Sequence, residues 1–240
     1  MSPEPKSPLQ DAVDIAVIRA CNGRHGRSLI ALADKASARR EMLREITAAA
    51  SESGAILLPL DGTDGKAPLV KRIASAAEQV LEQLPESGMT RRVLNGFKRA
   101  HGLTAQPVPL GETEPGIADS GMVSLDVPEL LAELGKAAKA NGKAIAVTIG
   151  NMDGLSLDDL GTVITGLHQA GQKSLPILLF GTGSHKMPSR AATARSYAER
   201  MFDFPTMSGP PHADQPADRP ASRLSVPAPA RPARPGNTGP

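Results

Sequence analysis

Short unbroken apolar runs alternate along this chain with segments whose apolar residues keep helical spacing. Between residues 144 and 183 two such runs, Ala-Ile-Ala-Val-Thr-Ile and Ile-Leu-Leu-Phe, flank a segment that opens at Ser156 and carries Leu157, Leu160, Val163, Ile164 and Leu167. This reads as strand, helix, strand, with a right-handed crossover burying both strands in a parallel sheet. Upstream, Leu9, Ala12, Val13, Ala16 and Val17 predict a helix ending at Asn22-Gly23. Ser28–Leu32 predicts a buried strand, and a helix with Met42, Leu43, Ile46 and Ala50 leads to a second strand over Ala55–Leu60, a βαβ unit. Pro59 cannot donate to a ladder and marks that strand as an edge or a strand end.

The same pattern predicts an amphipathic helix over 66–84 and a weaker one over Thr90–Ala100, together a helical insertion on the sheet. A loop over 102–122 follows, then a helix starting near Asp126 with Pro128 in its first turn and closing at Asn141-Gly142. After Gly183 a short helix from about Ala191 to Arg200 delivers Met201-Phe202-Asp203-Phe204, a candidate fifth strand. Residues 1–8 read as a frayed lead-in, 9–205 as one α/β domain, and 206–240 as a disordered tail of Pro, Ala, Arg, Ser and Gly, whose composition cannot offset the entropy of ordering it.

Composition narrows the function classes. The formal charge of +2 comes from 206–240, where four Arg face two Asp, leaving 23 basic and 23 acidic residues elsewhere. No basic footprint points to nucleic acid, and Phe97, Phe180, Tyr197, Phe202 and Phe204 offer no stacking platform for bases. The lone Cys21 forms no intrachain disulfide and reads as a small core residue in a reducing compartment. Neither a signal peptide nor a bilayer-length apolar run is present, so the expected location is cytoplasmic.

Candidate chemistry concentrates in two loops. A strand that enters a loop and then a helix is the layout of a phosphate-binding loop, which needs G-x-x-x-x-G-K-[ST] so that backbone N–H groups, a lysine and a hydroxyl can hold phosphates and Mg²⁺. Residues 33–40 place Ala33, Ala38, Arg39 and Arg40 at those four positions. Both glycines and the hydroxyl are missing, and an arginine fork does not replace a lysine ammonium. The second loop follows Ile149 with Gly150 and Asn151, at the sheet edge where such folds place chemistry and where a carboxylate would be expected. Asp153 lies beyond the strand end, Asp158-Asp159 reads as first-turn capping, and His25, His101, His168 and His185 lack metal-ligand spacing. Lys35, Arg39 and Arg40 read as a solvated basic patch.

Several stretches resemble the AAA+ ATPase core, in particular bacterial ATP-binding proteins that are similar to the origin-recognition ATPases. They are Gly-Arg-His-Gly-Arg-Ser-Leu-Ile-Ala-Leu (23–32), Ala-Asp-Ser-Gly (118–121), the run from Leu157 to Gly183, and Ser-Tyr-Ala-Glu-Arg-Met-Phe-Asp-Phe-Pro (196–205). The resemblance covers about 9–205 and implies a three-layer, P-loop NTPase-like α/β fold with a parallel sheet flanked by helices. It sets Ala33–Arg40 at the Walker A position, Ile149-Gly150-Asn151 at the Walker B position and Thr182 in the sensor region. The family's Asp-Glu pair, for Mg²⁺ and the attacking water, reads Gly150 and Asn151 here, and its lid and C-terminal domain give way to the Pro-rich tail. The expectation is therefore a truncated pseudo-ATPase with no catalytic or metal residue, acting as a scaffold with an active AAA+ relative or a second copy as partner. The alternative expectation is weak ATP binding with little hydrolysis, and a third is a decaying gene product.

Overall fold

The computed structural model describes residues 5–62, 67–85, 87–105 and 109–206, so the expected tail lies, from 207 on, outside the described residues. Five parallel strands form one sheet: β1 (Ser28–Leu32), β2 (Ile56–Asp61), β3 (Ile145–Gly150), β4 (Ile177–Gly183) and β5 (Phe202–Asp203), ordered β2-β3-β4-β1-β5. Register runs Leu58 beside Val147, Val147 beside Leu179, and Leu29 beside Phe180.

Both faces are covered, which is why the central strands read as unbroken apolar runs. Helices α1 (Pro8–Cys21) and α2 (Ala36–Glu52) pack on the face made by Leu29, Ala31, Ala146, Leu178 and Phe180. On the other face lie α3 (Leu69–Glu82), α4 (Gly88–Ala100), α5 (Val123–Ala140), α6 (Leu157–Gln172) and α7 (Met187–Ala194), against Ile30, Leu58, Val147, Ile149 and Leu179. The result is the expected three-layer α/β architecture.

The predicted strands and most helices appear within one to three residues of their expected ends. Pro59 sits on β2, which pairs only with β3 and is the sheet edge that the proline requires. Four points differ. First, β1 and β2 are not neighbours, because β4 and β3 lie between them. Second, Lys6 and Ser7 are tied down rather than frayed: Ser7 Oγ accepts from the Gln10 N–H at 3.2 Å, the Gln10 side chain accepts from the Ser7 N–H at 2.8 Å, and Lys6 pairs with Asp14. Third, α5 begins at Val123, so Pro128 lies inside the helix instead of in its first turn. Fourth, the helix expected over 191–200 is α7 at Met187–Ala194 followed by a 3₁₀ turn at Ala198–Arg200.

The start of α5 is held by a buried carboxylate. Asp126, with no solvent exposure, accepts from Ser120 Oγ at 2.6 Å, from the N–H groups of Ser120 and Gly121 at 3.1 and 2.8 Å, and pairs with His101 Nε2 at 2.9 Å. Glu129 accepts from the N–H of Ala118, whose φ is 53°. The Ala-Asp-Ser-Gly stretch is thus a clasp between the 101–122 loop and α5.

Candidate functional site

In open parallel sheets, ligands sit where neighbouring strands send their following helices to opposite faces. β1 and β4 are such neighbours, since β1 feeds α2 on one face and β4 feeds α7 on the other. Ala33, Gly150, Asn151 and Thr182 come together at this carboxyl edge. The Ala33 N–H donates to Gly183 O at 3.0 Å, and the Asn151 N–H donates to Thr182 Oγ1 at 3.2 Å. Ala38, Arg39 and Arg40 lie one turn into α2.

The β1–α2 loop is short and closed. The helix starts at Ala36, with Lys35 at its N-cap making no side-chain cap bond. No residue from 33 to 40 adopts positive φ, so successive N–H groups do not form the concave nest that phosphate loops use. Arg39 turns back on its own loop, donating through one guanidinium nitrogen to Ala33 O at 2.8 Å and Asp34 O at 2.6 Å. Arg40 is exposed and its Nε reaches only Ala36 O at 3.4 Å. Of the expected basic patch, Lys35 and Arg40 face solvent, whereas Arg39 is half-buried.

The second loop is equally committed. A Cβ added to Gly150 would stand 2.8 Å from Leu43 Cδ2 of α2, so this end of β3 is backed by an apolar side chain. Asn151 is left-handed, with φ 51° and ψ 58°, a conformation that asparagine tolerates better than most residues. Thr182 is 1% exposed and spends its hydroxyl on the Asn151 N–H. Both carboxylate oxygens of Asp153 accept from Ser184, one from the N–H and one from Oγ, each at 2.7 Å. Gly181 and Gly183 belong to β4 rather than to a turn after it: a Cβ at Gly181 would meet Met152 Sδ at 2.2 Å, and one at Gly183 would meet Met187 Cγ at 2.9 Å.

Two further arginines on this edge escaped the sequence reading. Arg72 donates to Asp61 O at the end of β2 and faces Asp159 at 3.6 Å, and Arg190 donates to Leu155 O in the loop from β3 to α6. With Arg39 they place one arginine at the carboxyl end of each of β1, β2 and β3. In all three the Nε is buried and makes no hydrogen bond. No sequence spacing announces this device: Arg39 turns back on its own loop, whereas Arg72 and Arg190 reach carbonyls 11 and 35 residues away that folding brings near. Ser156 caps α6 by accepting from the Asp159 N–H at 3.0 Å, and Asp158 and Asp159 lie in the first turn of that helix.

These residues do not fit a Mg²⁺-nucleotide. The loop lacks the nest, Arg40 stands where the motif has its hydroxyl, Arg39 donates to carbonyls, positions 150 and 151 offer no carboxylate, and both oxygens of Asp153 accept from Ser184. Among the described residues no group of three His, Cys, Asp or Glu could hold a metal ion, and no helix is long and apolar enough to cross a membrane.

No family model matches the chain, and no curated protein matches it. Among solved structures the chain is similar to Cdc6p from Pyrobaculum aerophilum, at 13% identity and a TM-score of 0.42 over 87% of this chain. The chain spans about half the length of that structure, 47%.

Proposed function

We propose that this protein is an ATPase-like scaffold without catalysis, a pseudo-ATPase whose AAA+-like core binds protein rather than turning over nucleotide. The observation that carries the reading is Arg39, whose guanidinium closes the β1–α2 loop on the carbonyls of Ala33 and Asp34 where a phosphate loop would present N–H groups. The partner would be an active relative or a second copy. Ile15 and Ile18 of α1, 57% and 53% exposed, give such a partner an apolar foothold.

Thermal unfolding with increasing ATP, with and without Mg²⁺, tests this. The expected result is no concentration-dependent rise in Tm, because a ligand that binds only the folded state must stabilise by mass action. The competing reading, weak ATP affinity without hydrolysis, draws on the N-terminus of α2, whose first N–H groups receive no side-chain cap. A rise with ATP that Lys35→Glu abolishes would establish that reading instead. The double variant Gly150→Asp/Asn151→Glu restores both acids by name yet is expected to show no phosphate release, because the first loop remains closed. It should also lose about 1–3 kcal/mol of stability as the new carboxylate meets Leu43. Turnover in that variant would overturn the scaffold reading.

A further inference from the structure

The sheet's opposite edge, where its strands begin, holds a cavity of about 340 Å³ between the α1–β1 loop, the end of α6 and the turn before β5. Its volume lies within the range of small-molecule sites. Arg24 and His25 of the α1–β1 loop, His168 of α6 and Arg200 of the turn line it, and no Asp or Glu does. Leu167, Ile177 and Leu178 form an apolar portion of the wall. Gly26 fixes the loop against α1, since a Cβ there would come 2.4 Å from Ala16 O.

The cations on this wall are not used by the fold. Among the described residues the side chains of Arg24, His25 and Arg200 make no hydrogen bond or ion pair, although Arg27 beside them pairs with Asp203 at 3.1 Å. His168 is braced rather than free, stacked on Tyr197 with ring centroids 4.5 Å apart and in contact with Gln172. A structural purpose for the arginines would be to offset the C-terminal dipoles of α1 and α6, which end at this cavity. Each such end carries roughly half a negative charge, and its carbonyls are already partly bonded by the N–H groups of Asn22, Arg24, Lys173 and Leu175. Two full guanidinium charges exceed about one negative charge in sum, so a positive surplus remains.

We propose that this cavity binds a small organic phosphate, with Arg24, His25 and Arg200 holding the phosphoryl group and the apolar wall taking the organic body. A dianion matches two guanidiniums better than a monoanion does, and guanidinium forks suit phosphoryl oxygens. The site is independent of the β1–α2 loop, so it stands or falls separately from the scaffold reading.

Titration of the full chain with phenyl phosphate, inorganic phosphate and benzoate, followed by calorimetry and by the imidazole NMR signals, tests the proposal. Phenyl phosphate is expected to bind saturably with Kd of about 1 mM or tighter, inorganic phosphate more weakly and benzoate weakest. The imidazole signals of His25 and His168 should shift, while those of His101 and His185 stay in place. Arg24→Gln and Arg200→Gln, alone and together, should leave the Tm without ligand unchanged, and the pair should weaken phenyl phosphate at least about tenfold. Arg39→Ala should leave binding unaltered. Absence of saturable binding, equal affinity for benzoate and phenyl phosphate, or full binding in the double glutamine variant would each overturn the assignment.

Discussion

The two edges of the sheet treat their arginines differently. Along the carboxyl edge Arg39 and Arg190 each donate to a carbonyl of a strand-to-helix loop, Arg72 donates to the last carbonyl of β2, and Asp153 and Thr182 are bonded to neighbouring groups. Along the amino edge Arg24 and Arg200 stand on a cavity wall with no partner among the described residues. Parallel α/β folds usually keep their reactive groups at the carboxyl edge, where loops diverge. Here that edge has been consumed by internal bonds, which exchange ligand contacts for loop rigidity. At the other edge Arg24 and Arg200 lack partners among the described residues and line one cavity with an apolar wall, whereas the unpartnered Lys35 of the carboxyl edge faces open solvent.

The largest effect expected from disturbing the bonded side comes from the clasp at the head of α5. Asp126→Ala leaves His101, Ser120 and two N–H groups without their buried acceptor, and should cost about 3–5 kcal/mol, a Tm lower by roughly 6–20 °C in calorimetry. A loss under about 1 kcal/mol would mean that the clasp is wet and that the contrast between edges is overdrawn. A smaller loss, about 1–2 kcal/mol by urea unfolding, is expected for Arg72→Ala, which frees the end of β2 from the head of α6. If Arg72→Ala were as silent as Arg24→Gln, the arginines of the two edges would be energetically alike and the comparison would fail.

The smallest effect is a pH dependence where α1 meets α2. Burial alone would push the Asp14 carboxyl up, but hydrogen bonds from Lys6 and Ser53, together with the Lys6 charge, outweigh it and hold the group below its ordinary value of 3.8. A carboxyl depressed in the folded state adds stability that is present above the unfolded value and lost as pH falls through the folded one. Unfolding followed from pH 7 downward should therefore show stability declining below about pH 4, with a shallower decline in Asp14→Asn. Identical profiles for the two proteins would place that acid sensitivity elsewhere.

What could be read in advance and what could not divide along physical lines. Periodicity and capping are local, so β1, the crossover from β3 through α6 to β4, the caps at Ser156 and Asn141, and the edge position of Pro59 were all legible from neighbouring residues. That 33–40 contains no glycine and that 150–151 offers no carboxylate was legible too, because absence of a residue type needs no coordinates. Strand order was not legible: β1 lies beside β4 and β5, far away in sequence, and nothing in its five residues names them. Nor was the packing of Gly181 and Gly183 within β4, which Met152 and Met187 reveal by lying against them. Arg39 read as part of a solvated basic patch, and nothing in the sequence singled out Arg72, Arg190, Arg24 or Arg200. A long side chain is settled by whichever carbonyl or cavity the fold brings within its reach, and only the tertiary structure decides which arginines are spent and which are left free.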